Sequence, residues 1–123
     1  MKNKILIVED DKLLGDLLVQ RFMKEGDLPM LATSGEDALR FLENDIPDAI
    51  TLDILLPGMN GFDFLGKIKA DQRFANIPVL ILSNFSQKED LEKAKALKAN
   101  TFLLKATVEL DEIVAEIKKL VQK

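Results

Sequence analysis

The chain contains no His, Cys, Trp or Tyr. Without His, the common Ser–His and Cys–His nucleophile pairs and every imidazole metal site are excluded. Without Cys, disulfides, thiolate metal sites and thiol chemistry are excluded. Carboxylates, hydroxyls, amides and amines remain, so a bound metal is expected to be hard and oxygen-ligated, Mg²⁺ or Ca²⁺ before Zn²⁺. No apolar run exceeds four residues, against the ~18 that signal a membrane span. The formal charge of −4 argues against a general binder of nucleic acid or anionic membranes. The opening stretch MKNKILIVEDD turns acidic at Glu9, unlike a secretory leader, and a cytoplasmic location is the expectation.

What is present describes a soluble globular protein, 47% hydrophobic and 31% charged over 123 residues. That length predicts one domain, residues 1–123, with a core that needs no staples. Short apolar runs at Ile5–Val8, Pro29–Ala32, Ala49–Leu52, Val79–Leu82 and Thr101–Leu104 read as strands. Continuous rather than alternating runs, such as Ile5–Val8 and Val79–Leu82, suggest strands buried on both faces, as in a parallel sheet. Helical patterns follow at about 12–25, 35–44, 61–70, 87–97 and 108–122. On the first, Leu14, Leu17, Leu18 and Phe22 share a broad apolar face. Ser34 with Asp37, and Ser86 with Glu89, have capping-box spacing. The last helix is broadly apolar, with Leu110 and Val114 readable as core or as exposed contacts for a partner. Strand–helix alternation repeated five times predicts an α/β fold: a doubly wound, three-layer sandwich on a parallel five-stranded sheet. In such sheets ligands bind beyond the carboxyl ends of the strands.

Those strand ends carry the strongest signal in the sequence. The first strand runs into Glu9, Asp10 and Asp11, the third into Asp53, the fourth into Ser83 and Asn84, the fifth into Lys105. Taken singly, each residue also reads as a cap, a turn residue or a solvated charge. Together they define an acidic edge with one cation. Two carboxylates ~5 Å apart repel by about 3 kcal/mol at an effective dielectric of ~20, so a divalent ion or Lys105 must offset them. Asp53 is the acid framed most tightly by apolar residues. A carboxylate oxygen is a competent nucleophile toward a phosphoryl group once that charge is neutralised, and Ser83 and Lys105 are suited to holding phosphoryl oxygens.

The stretches KILIVEDD, ITLDILLPGMNGFDFL, VLILSN and TFLLK resemble the receiver domain of two-component response regulators. The resemblance covers residues 3–121. It implies a CheY-like, flavodoxin-like (βα)5 fold with strand order 2-1-3-4-5. Asp53 would be the phosphoacceptor. Mg²⁺ would be held by Glu9, Asp10, Asp53 and the backbone carbonyl of Leu55. Lys105 and Ser83 would bind the phosphoryl group, with Asn84 beside them. Phe102 stands where the family has an aromatic switch residue. The phosphodonor would be a His on a sensor histidine kinase or a histidine phosphotransfer protein. An output protein or a second copy would be engaged through the fourth helix, fifth strand and fifth helix. The protein would act as a stoichiometric switch rather than a multi-turnover enzyme.

Three departures from the family pattern bear on this. Ala106 follows Lys105 where Pro is usual with a cis peptide, which predicts either a trans bond with a shifted loop or a strained cis bond. Asn84 replaces a common small residue, a change expected to slow access to an acyl phosphate. Lys98 replaces a frequent helix-ending Gly, with Asn100 expected to take the left-handed conformation instead. Rival readings are a pseudo-receiver that binds partners without phosphorylation, a Mg²⁺-dependent phosphohydrolase and a flavodoxin-like carrier. The hydrolase reading is weakened by Leu55, where many such enzymes have a second Asp. The carrier reading lacks a phosphate loop after the first strand.

Overall fold

The computed structural model describes residues 2–84 and 87–122. Five strands alternate with five helices: β1 (Lys4–Val8), α1 (Lys12–Lys24), β2 (Leu28–Ala32), α2 (Gly35–Asn44), β3 (Ala49–Leu52), α3 (Gly61–Ala70), β4 (Val79–Ser83), α4 (Lys88–Ala96), β5 (Thr101–Leu104) and α5 (Leu110–Val121). All strand pairings are parallel, in the order β2-β1-β3-β4-β5. This is the expected flavodoxin-like topology.

The period-two alternation of strand side chains sorts the core into two layers. Leu6 and Val8 of β1, Ile50 and Leu52 of β3, and Val79 and Ile81 of β4 pack with residues of α2, α3 and α4. Ile5, Ile7, Ala49, Leu80 and Leu82 point the other way, onto Leu18 and Phe22 of α1 and Ile113, Val114 and Ile117 of α5. Every residue of β3 and β4 is buried, whereas β5 is half-exposed along its length, as its place at the sheet edge requires. Val114 therefore belongs to the core, and Leu110 is half-buried. On α1, Leu17 lies outside the expected core face and is 39% exposed.

The helix starts differ from expectation in instructive ways. Ser34 Oγ accepts from the Asp37 amide at 3.1 Å, but the Asp37 carboxylate turns to Arg40 and Thr33 rather than back to Ser34, so only half of that box forms. The expected Ser86–Glu89 box is replaced by one between Gln87 and Asp90; Ser86 lies outside the described residues. α5 begins at Leu110 behind a Glu109–Glu112 box, later than the expected Val108. On the α1–α5 side of the sandwich, Arg21 pairs with Asp111 and Lys118 with Glu25.

After α4 the chain turns at Lys98, with φ of 66°. Asn100, expected to take this conformation, instead brackets the start of β4: its side chain accepts from the Val79 amide and its own amide donates to the Val79 carbonyl, each at 2.9 Å. The two bonds hold Asn100 in register with the strand, so the reversal falls on Lys98. A left-handed residue with a Cβ costs roughly 1–2 kcal/mol, partly offset by the extra chain entropy glycine loses on folding. Lys98→Gly should therefore stabilise the protein by about 0.5–1 kcal/mol, read as a higher urea midpoint with an unchanged slope. A lower midpoint would show that the lysine side chain supports the turn.

Candidate functional site

The strand order places the site. β1 and β3 are neighbours whose onward connections leave in opposite directions, which opens a crevice at their carboxyl ends. Val8 and Leu52 are in register, so the next residues, Glu9 and Asp53, emerge side by side. The backbone fixes both: the Glu9 amide donates to the Ala32 carbonyl at 2.9 Å, and the Asp53 amide to the Val8 carbonyl at 3.0 Å. On the other side, the Lys105 amide donates to the Ser83 carbonyl at 3.0 Å. Sheet hydrogen bonding thus delivers the polar residues of four strand ends to one edge.

Carboxylate oxygens of Glu9, Asp10 and Asp53 lie within 4.8 Å of one another. Glu9 and Asp53 are buried, at 2% and 5% exposure, and Asp10 is exposed. The Lys105 ammonium enters this cluster, 2.7 Å from Asp53 Oδ2 and 2.8 Å from Glu9 Oε1. Burial pushes the Glu9 carboxyl up to about 7, against the opposing pull of its hydrogen bonds from Lys105 and the Asp11 amide. Burial alone would lower Lys105, but the hydrogen bonds to Asp53 and Glu9 outweigh it and hold the ammonium above its usual range. Asp53 Oδ1 accepts from the Leu55 amide at 3.3 Å, which orients the carboxylate. Asp11 stands apart from the cluster as the N-cap of α1, accepting from the Leu14 amide. The reading of the acidic run as a helix cap therefore holds for Asp11 and fails for Glu9.

Asp10, Asp53, Leu55, Ser83, Asn84 and Lys105 line an open cleft of about 170 Å³. Ser83 is buried and Asn84 and Leu55 are exposed at its rim. Phe102 is not in the cleft; it is half-buried on β5 and packs against the α2–α3–α4 layer of the core. No peptide bond among the described residues is cis. The Lys105–Ala106 bond is therefore trans, and Lys105 reaches Asp53 all the same. The donor set suits a hard divalent ion: carboxylate oxygens, no nitrogen or sulfur, and an open face at Asp10 where waters fit.

Residues 5–118 match the family model of the response regulator receiver domain. The chain belongs to that family. It is 34% identical over 119 residues to sporulation initiation phosphotransferase F of Bacillus subtilis, covering 97% of this chain and 94% of that one. The receiver domain of a signal transduction histidine kinase from Syntrophus aciditrophicus superposes with a TM-score of 0.89 at 28% identity, over 97% of this chain and 89% of that one. A receiver domain of a sensor histidine kinase from Pseudomonas aeruginosa, with a magnesium ion coordinated in its active-site cleft, shares the fold at a TM-score of 0.87 and 23% identity, over 98% of each chain. This chain is thus a receiver domain of two-component systems.

Two features of this receiver's site escaped the sequence reading. Leu13, 72% exposed, stands with Leu17 beside the cleft, on a helix whose apolar pattern pointed to the core. Glu36 of α2 reaches the loop after Asp53, a contact with no sequence signature.

Glu9 makes the metal-free receiver pH-sensitive. Its folded value near 7 lies above the ordinary 4.5, so its contribution to stability is full below about 4.5 and is lost as pH rises through 7. With metal chelated, the wild type should lose more stability between pH 5 and 8 than Glu9→Gln, measured by urea unfolding. Parallel pH profiles for the two proteins would contradict this.

Proposed function

We propose that this receiver accepts a phosphoryl group on Asp53, in a Mg²⁺-dependent transfer from a phosphohistidine of a sensor histidine kinase or histidine phosphotransfer protein. The observation that carries the reading is the Asp53 carboxylate, buried at the floor of the cleft and held between the Lys105 ammonium and the Leu55 amide. In the transfer an Asp53 oxygen bonds to phosphorus, the donor's N–P bond breaks and its imidazole takes up a proton. Mg²⁺, when bound by Glu9, Asp10, Asp53 and the Leu55 carbonyl, supplies neutralising charge for the phosphoryl oxygens. Lys105 pairs with the new dianion, Ser83 donates its hydroxyl to it, and Asn84 narrows the way in for water. The magnesium in the Pseudomonas receiver's cleft supports this assignment.

On this reading residues 1–123 form one receiver that serves as a stoichiometric switch. Movement of Ser83 and Lys105 toward the phosphoryl group biases the loops after β4 and β5, and Phe102 follows. Output passes through α4, β5 and α5 to a protein partner or a second copy, without nucleic acid or membrane. The anchoring of α4 supports this: Ala94 is its buried residue and Leu91 is 39% exposed, as expected of an element with two available positions. On the opposite side of the cleft, Leu13, Leu14 and Leu17 with Ala106 form a shallow apolar groove suited to the helix that carries the donor histidine.

Two experiments test the proposal. With Mg²⁺ and acetyl phosphate, intact-mass analysis should show the gain of one phosphoryl group, absent in Asp53→Asn and without chelatable metal. No gain at saturating donor would favour the pseudo-receiver reading. Leu13→Glu should slow transfer at least severalfold from an autophosphorylated histidine kinase that labels the wild type, because it buries a charge in the interface. Its rate with acetyl phosphate should be unchanged. Equal loss with both donors would place the effect in the cleft rather than at docking.

A further inference from the structure

The loop between Asp53 and α3 carries the carbonyl assigned to the metal, yet its outward half is gripped from another element. At its far end, Gly61 closes directly on the strand end. Its amide donates to the Ile54 carbonyl at 2.7 Å, and a Cβ there would sit 2.2 Å from the Asp53 carbonyl oxygen and 2.7 Å from Ile54 Cα. Ile54 and Leu56 tack the loop into the core, while Leu55 faces solvent at 65% exposure. Between these anchors and Asn60, the N-cap of α3, lies the crest Pro57–Met59, with Met59 partly buried against the core.

The first turn of α2 grips this crest. Glu36 Oε2 accepts a long hydrogen bond from the Met59 amide, 3.4 Å. The same oxygen lies over Gly58, where a Cβ would meet it at 2.7 Å and where φ is +71°. One residue back, a Cβ on Gly35 would meet Met59 Sδ at 3.3 Å. Two glycines thus allow the crest and the helix to approach, and a carboxylate fills the space between them. Glu36 stands outside the Glu9–Asp10–Asp53 cluster.

We propose that Glu36 is a positioning residue for Mg²⁺: it clamps the crest of the β3–α3 loop and so holds the Leu55 carbonyl in place for the ion. The inference rests on the metal assignment above. Partners that orient a ligand typically change metal affinity by 10–100-fold when removed, and a long, exposed clamp belongs at the lower end. A competing explanation is that Glu36 merely favours the N-terminus of α2 through its charge.

The two are separable because glutamine keeps an acceptor oxygen for Met59 but loses the charge. The test follows Mg²⁺ titrations of the whole chain by the amide resonances of Asp53 and Leu55, alongside urea unfolding in chelator. Glu36→Ala should weaken Mg²⁺ binding by roughly tenfold, and Glu36→Gln should stay within about twofold of wild type while losing no more stability in chelator than Glu36→Ala does. Wild-type affinity in Glu36→Ala would overturn the clamp, as would equal weakening in both variants, which would mark an effect of charge. A wild type that binds no Mg²⁺ would overturn the metal assignment itself.

Discussion

Everything at this site depends on one ammonium group. Glu9 and Asp53 are buried side by side because the register of β1 and β3 gives them no alternative. Two buried carboxylates in that position would repel strongly. Lys105, delivered from the end of β5, touches both and makes the arrangement tolerable without metal. In the proposed transfer the same contact prepares the chemistry, because the cation that offsets Asp53 would be the one to receive the phosphoryl dianion. A buried charge left without its partner costs about 3–5 kcal/mol, so the triad is a condition of the fold.

The sheet and the helices divide the work. β1, β3 and β4 are buried on both faces and rigidly paired, so the acids and Ser83 are presented by the least deformable part of the molecule. α5 is bound to α1 through its buried face and the ion pairs of Arg21 with Asp111 and Lys118 with Glu25. α4 has a single buried side chain, Ala94, and the cation of Lys93 over the Phe62 ring, 4.8 Å from its centroid, is a weak attachment. In the proposed switch, a signal generated at the sheet edge has a thinly anchored neighbour to act on.

Most of this was legible in the sequence because parallel sheets write their topology plainly. The apolar runs ended where strands end to within one residue, and the polar residues immediately after them converge in the structure. What was not legible depended on three-dimensional competition. Leu17 obeyed the apolar period of α1 but faces the shallow groove beside Lys105 and Ala106 rather than the core. Asp37 had box spacing with Ser34, yet Arg40 one turn on offered it a charge. Lys98 rather than Asn100 took the left-handed turn because the Asn100 side chain was claimed by Val79. Glu36 and Gly58 lie far apart in sequence, and only the fold shows that one rests on the other.

Lys105 and the proposed Mg²⁺ are assigned to the same carboxylates, and one measurement addresses that directly: the stabilisation that Mg²⁺ confers on wild type and on Lys105→Met, by urea unfolding in chelator and at saturating Mg²⁺, at pH 8. The variant should be strongly destabilised in chelator and should gain distinctly more from Mg²⁺ than the wild type does, because the ion replaces the missing cation. Equal gains in the two proteins would contradict the claim, since the lysine and the metal would then be acting on different charges.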